Sequence, residues 1–244
     1  MSGLVQLLRL EYELTWRARL LGVAYAAIFA TYVGGLRITA SILPADGWEL
    51  VLGDVTVGIG YPLAALAVIA AYVYSRSVAA QLSSGLMKTL LAYPVRRGVL
   101  LLAKMLLGLI LLLPAILLPQ LYSWLLHGVN LPLLAVVTLT LALELLFSSS
   151  LTTLISLLVK DPASSLLLSL LALLAIAVAP GLLSRAGFEE AAKVFNPGSI
   201  LHLYDAVAEG KMMGYALATT ALYSALTGLS IALSLLLFNR MDLD

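Results

Sequence analysis

Apolar residues dominate the chain in long runs, and the polar residues fall between the runs rather than alternating within them. A membrane-spanning helix needs about 20 consecutive apolar residues. Six stretches meet that length: Leu20 to Leu43, Val55 to Tyr74, Val99 to Leu126, Leu131 to Val159, Ser164 to Leu183 and Tyr215 to Phe238. The third and fourth are long enough to tilt or to project beyond a bilayer. Ahead of the first run, Leu4, Leu8, Tyr12 and Trp16 recur every four residues, while Arg9, Glu13 and Arg17 form an i, i+4 ladder on another face. That period predicts an amphipathic helix over 1–19 lying in the membrane interface, with packing on a soluble partner as the other reading. The predicted fold is therefore an all-α membrane protein, with this interfacial helix followed by a six-span domain over 20–244.

Two interruptions carry more pattern than a plain loop. Between the second and third runs, Leu82, Leu86 and Leu90 recur at spacing four, with Met87 and Leu91 beside them. Ser84 and Lys88 fall on another face, Ser83 or Ser84 is placed to cap the start, and Pro94 to stop the helix. A short amphipathic helix of two to three turns is predicted over about 83–94. Arg96, Arg97 and Lys104 follow it, with stems long enough to snorkel to headgroups and anchor the return into the bilayer. The second interruption, 186–214, is too polar to span and too apolar for a simple loop. Short external or re-entrant helices broken at Asn196 and Pro197 are predicted there.

Composition narrows the class. Only 11% of the 244 residues are charged and the mean hydropathy is +1.05, which excludes an ordinary water-facing surface. A net charge of +1 gives no basic field to hold nucleic acid. With no cysteine, disulfides, thiolate metal sites and cysteine nucleophiles are excluded. The opening residues lack a cleavable signal pattern, so the N-terminus reads as mature. An even number of spans puts both termini on one side. If that side is cytoplasmic, it holds Arg9, Arg17, Arg19, Arg76, Lys88, Arg96, Arg97, Lys104, Lys160 and Arg240, ten of the fourteen basic residues; Arg37, Arg185, Lys193 and Lys211 make the other four. The bias predicts a multi-pass cell-membrane protein with both termini inside. Trp48, Tyr72, Tyr74, Tyr122 and Trp124 mark the predicted membrane boundaries.

Within the spans one polar row stands out. Thr140, Glu144, Ser148, Thr152 and Ser156 repeat at spacing four along the fourth run, joined by Ser149 and Thr153. Glu144 is the only acid well inside a span. An ionised acid against lipid costs about 3 kcal/mol or more, so this side chain faces protein, a wet cavity, or is protonated. Glu144, Ser148 and Thr152 are candidates for a transport path; the structural reading is that the row hydrogen-bonds a neighbouring helix. Tyr223, Thr227, Ser230 and Ser234 form a related face on the sixth run, and Pro114 and Pro119 are placed to kink the third.

The segment Ser84 to Arg97, Ser-Gly-Leu-Met-Lys-Thr-Leu-Leu-Ala-Tyr-Pro-Val-Arg-Arg, followed by Lys104, resembles the S-G-T-L-x-x-L-L-x-x-P-[VI]-S-R, then G-K, pattern of ABC type-2 transporter permeases. Gly85, Leu90, Leu91, Pro94, Val95, Arg96 or Arg97, and Lys104 match. Ala80 and Gln81 stand where an acidic residue commonly precedes the Ser-Gly pair, and Ala103 replaces the glycine before Lys104. The six-span layout, the N-terminal interfacial helix and the terminal Phe238 to Leu243 also look like that family. The resemblance implies a coupling helix whose residues Ser84, Gly85, Leu86, Met87, Lys88, Leu90, Leu91 and Pro94 dock on an ATPase subunit. It further implies an exporter that works as a dimer with a second permease copy or paralogue among membrane lipids. Read from charge alone, the same hairpin is a positive-inside loop with no docking partner.

The chain has no G-x-x-x-x-G-K-[ST] phosphate loop. The resemblance therefore puts ATP and magnesium on a partner ATPase, with no cofactor, metal site or catalytic residue in this chain. Two other classes compete with it. An autonomous proton- or ion-coupled carrier would use Glu144 but lacks the inverted repeat and broken helices of such folds. A membrane-embedded enzyme or haem protein would have to be built on His127 and His202, with no H-E-x-x-H and no serine paired to a buried histidine.

Overall fold

A computed structural model describes residues 9, 12, 18–42, 59–91, 96–127, 131–201, 203 and 213–241. The described residues are almost all helical, with no strand among them. The elements are α1 (Ala18–Ile42), α2 (Gly60–Ser83), α3 (Leu86–Leu91), α4 (Arg97–His127), α5 (Leu131–Val159), α6 (Pro162–Arg185), α7 (Glu189–Phe195), a 3-10 turn (Pro197–Leu201) and α8 (Met213–Arg240). Among the described residues, five helices are long and apolar enough to cross a membrane, namely α2, α4, α5, α6 and α8. This is the architecture of a multi-pass membrane protein. In α1 the apolar stretch is shorter, Leu21–Gly34. The interfacial helix predicted over 1–19 lies almost wholly outside the described residues.

The bundle is organised around α5, which packs against α2, α4, α6 and α8. Its row of hydroxyls is buried for that reason: a helix with neighbours on several sides has no lipid face to spare for a polar stripe. The largest apolar cluster joins Ile28 and Tyr32 of α1, Leu66 and Tyr74 of α2, Leu112 and Ile116 of α4, and Val137 and Leu141 of α5. In α4, Pro114 has no N–H to complete the preceding turn. The Tyr25 hydroxyl of α1 donates to the Leu111 carbonyl, which ties α1 to α4 one residue after Ile110, the position whose carbonyl Pro114 leaves without its helical donor.

Two boundaries differ from the sequence expectation. The second span does not end at Tyr74 but runs on to Ser83 through a π-helical turn, Ser75–Ala80. Tyr74, predicted at headgroup depth, is fully buried and donates from its hydroxyl to the Met105 carbonyl at 2.9 Å. Apolarity drops after Tyr74 because Ser75, Ser77 and Gln81 are polar, yet all three are buried against the bundle. Polarity there marks a protein contact and not the membrane edge. The serines before α3 also act differently. Ser83 donates to the Ala80 carbonyl and Ser84 to the Gln81 carbonyl, so both close α2 instead of capping α3. Gly85, at φ +73°, makes the reversal, a left-handed conformation that glycine adopts without steric penalty.

Candidate functional site

The end of the bundle that carries α3 is built from the connections α2–α3–α4 and α5–α6 and from the end of α8. In α3, Met87 and Leu90 are buried and pack with Val78, Leu100, Leu101, Leu157 and Phe238. Leu86 and Leu91 are half-buried at the margin, whereas Ser84, Lys88 and Thr89 are exposed. The apolar side of this amphipathic helix is thus spent on its own bundle. A protein approaching from solution meets Ser84, Lys88 and Thr89, with the half-buried Gly85, Leu86 and Leu91 beside them. Pro94 lies outside the described residues.

The three basic residues after α3 have separate roles. Arg96 is exposed. Arg97 donates to the Met241 carbonyl at 2.7 Å, tying the start of α4 to the residue after α8. Lys104 does not reach out to headgroups: it is 1% exposed, and its amine donates to Gln81 Oε1 at 2.6 Å. The reason is position. Lys104 lies two turns into α4, opposite the part of α2 that the sequence reading had placed beyond the membrane. Gln81, at a position noted only for lacking an acid, supplies the acceptor.

Around the middle of α5 the polar row meets a cavity. Glu144 is 9% exposed and accepts from Ser148 Oγ at 2.8 Å. Further along, Ser156 and Ser165 pair their hydroxyls at 2.6 Å between α5 and α6. In this antiparallel pair one turn back from Ser156 is Thr152 and one turn on from Ser165 is Ser169, so those two share a level. Thr152 Oγ1 and Ser169 Oγ are both buried without a hydrogen-bond partner, as is Thr227 Oγ1 of α8. Such hydroxyls inside a bundle are suited to bridging waters. Ser156 thus ties two helices together, and Glu144 lines an open space.

That space has a volume of about 440 Å³. Its walls come from α2 (Gly60, Leu63, Ala64, Ala67, Val68), α5 (Glu144, Phe147), α6 (Leu170, Leu173, Leu174, Ala177) and α8 (Tyr223), and Asn196 to Gly198 lie at its end. Phe147 and Tyr223 meet edge to face, centroids 5.2 Å apart, and the Tyr223 hydroxyl donates to the Phe195 carbonyl at 3.2 Å. The junction at Asn196 and Pro197 is thereby fixed to α8 and forms part of the cavity. Thr152, predicted beside Glu144 on the path, is not among the lining residues; neither is Ser148, which acts through its bond to the carboxylate. That Asn196 and Tyr223 line the same cavity as Glu144 is not an expectation of the sequence. Tyr223 begins the polar face of the last span and was the available signal.

The family model DUF2705, described as a protein of unknown function, matches residues 39–243. The chain belongs to this family. The DUF2705 match takes in the α2–α4 hairpin, all of α5 and every residue lining the cavity. No curated protein matches the chain.

Proposed function

We propose that this DUF2705 protein is the transmembrane permease subunit of an ATP-driven ABC transporter, an exporter in direction. Two copies, or one copy and a paralogue, would pair with separate ATPase subunits that bind ATP and magnesium. In this reading α1 is a sixth span, the protein sits in the cell membrane, and both termini and α3 face the cytoplasm. The observation that carries it is the seating of α3. Its buried Met87 and Leu90 join an apolar cluster with residues of α2, α4, α5 and α8, while Lys88 and Thr89 stay exposed for a partner. A push on that outer face would reach the bundle through this cluster and the end of α2, as rigid-body switching requires. Arg76, Lys88, Arg96, Lys160 and Arg240, all exposed at this end, supply the basic bias of a cytoplasmic face.

The test is purification from native membranes with crosslinking from position 88. An ATPase subunit that copurifies and crosslinks there supports the reading. A Lys88 shown to be accessible only from outside the cell, or a purified assembly with no nucleotidase at α3, overturns it. An ion-coupled carrier is the second reading, favoured by one observation: a buried carboxylate, Glu144, on the wall of an intramembrane cavity. Ion-driven uptake by the chain alone in ATP-free vesicles, abolished by Glu144→Gln, would decide for it.

A further inference from the structure

The cavity beside Glu144 has an unusual balance of chemistry. Its walls are almost entirely aliphatic or aromatic, and among the described residues Glu144 is the sole charged one lining it. Among the described residues, the carboxylate's one hydrogen-bond partner is Ser148, and no basic side chain forms an ion pair with it. A buried carboxylate is ordinarily matched by a cation or by several donors; here one hydroxyl is present and the remaining side faces open space. The volume of about 440 Å³ lies within the range of about 300–1,000 Å³ usual for small-molecule sites. Its rim gives the direction of entry. Val68 of α2 is 52% exposed and Leu174 of α6 is 59% exposed, so the cavity opens sideways, between two apolar helices, at the depth of the membrane interior.

We propose that this cavity binds a lipophilic cation: a molecule with an apolar body and a single ammonium group, entering between α2 and α6 and placing its charge against Glu144. The apolar body replaces lipid contacts with Leu63, Leu170, Leu173 and Phe147, and the ammonium supplies the counter-charge that the protein does not. An anionic amphiphile of the same size meets like charge, and a neutral one leaves the carboxylate unmatched. This names a cargo class for the path proposed above and rests on that reading for its transport meaning. Binding itself needs no ATPase, so the two fail separately. Selective binding with no ATPase partner would remove the exporter and keep the site; an ATPase partner without selective binding would do the reverse.

The experiment measures retention of isotope-labelled decylammonium, decanol and decanoate by the full chain in zwitterionic-lipid nanodiscs, over empty nanodiscs. The expected result is decylammonium retained at least tenfold above decanol, with decanoate at background. Glu144→Gln, which keeps an oxygen for Ser148, should abolish the preference, and Glu144→Asp should keep it. A second measurement uses the wild-type chain alone and so does not depend on a variant folding. Labelling of Glu144 by a hydrophobic carbodiimide should slow at least tenfold with decylammonium present and stay unchanged with decanol. Equal retention of amine and alcohol, no retention of either, a preference that survives Glu144→Gln, or labelling indifferent to the amine would each overturn the proposal.

Discussion

The Lys104 amine meets Gln81 Oε1 at 2.6 Å, deep between α4 and α2. Both side chains are buried, at 1% and 5% exposure, so the contact joins the two helices that α3 connects. Replacing Gln81 by leucine removes an acceptor from a buried ammonium, and a loss of about 1–3 kcal/mol is expected. Gln81→Glu keeps an acceptor oxygen and is expected to retain stability. Unfolding in nanodiscs or mild detergent checks both. A Gln81→Leu protein within about 0.5 kcal/mol of wild type would show that the contact carries no stability.

Ser156 and Ser165 offer a clean measure of how α5 holds α6. Their hydroxyls pair at 2.6 Å where both residues are fully buried. In a membrane the unfolded helices also find partners, so the coupling is modest. A double-mutant cycle with Ser156→Ala and Ser165→Ala is expected to return about 0.6 kcal/mol, and no more than about 1.7. A coupling indistinguishable from zero would mean that packing alone, not the hydroxyl pair, sets this register.

The start of α6 should make stability respond to acid. Asp161 accepts from the Ser164 backbone N–H at 2.8 Å as the N-cap, with Pro162 in the first helical turn. The backbone bond from Ser164, then its side chain, holds the carboxyl below its ordinary value of 3.8. A depressed folded-state value means that the ionised form is the one the fold favours. The contribution is therefore complete above the ordinary value and is lost as pH falls through the lower one. Thermal unfolding of wild type against Asp161→Asn between neutral pH and about pH 3 should show the difference shrinking toward the acid end. A difference that grows as pH falls would contradict the cap.

The sequence made the long helices legible because apolar runs of spanning length admit few other structures, and α5 begins and ends where its run does. It misplaced the end of α2 because composition cannot tell a polar residue facing headgroups from one facing another helix. Ser75, Ser77 and Gln81 read as the former and are the latter. The same ambiguity set Lys104 at the membrane surface. Glu144 was legible as the single acid within a span, and its row as a stripe. The cavity was not, since it is assembled from four helices and the turn at Asn196, and no local period encodes which helices become neighbours. Asn196 read as a helix break, which it is; that the break lies at the cavity's end depends on Tyr223 of α8 bonding to Phe195.

Gly85 and Lys88 separate the stability of the α2–α3 hairpin from its proposed role. Gly85 sits at φ +73° with nothing within 4 Å of an added Cβ, so Gly85→Ala brings backbone strain without a clash. A cost of about 1–2 kcal/mol is expected, in unfolding measurements on the isolated chain, with or without a partner. Lys88 is exposed and its neighbours Met87 and Leu90 already hold α3 in place. Lys88→Glu is therefore expected to leave stability within about 0.5 kcal/mol while reversing charge at the centre of the outward face. If α3 is where an ATPase docks, the Lys88→Glu chain should lose copurifying ATPase by tenfold or more and keep its fold. The Gly85→Ala chain should lose partner only as far as it loses structure. An unchanged ATPase yield from Lys88→Glu, beside a normal thermal transition, would move the docking surface away from α3.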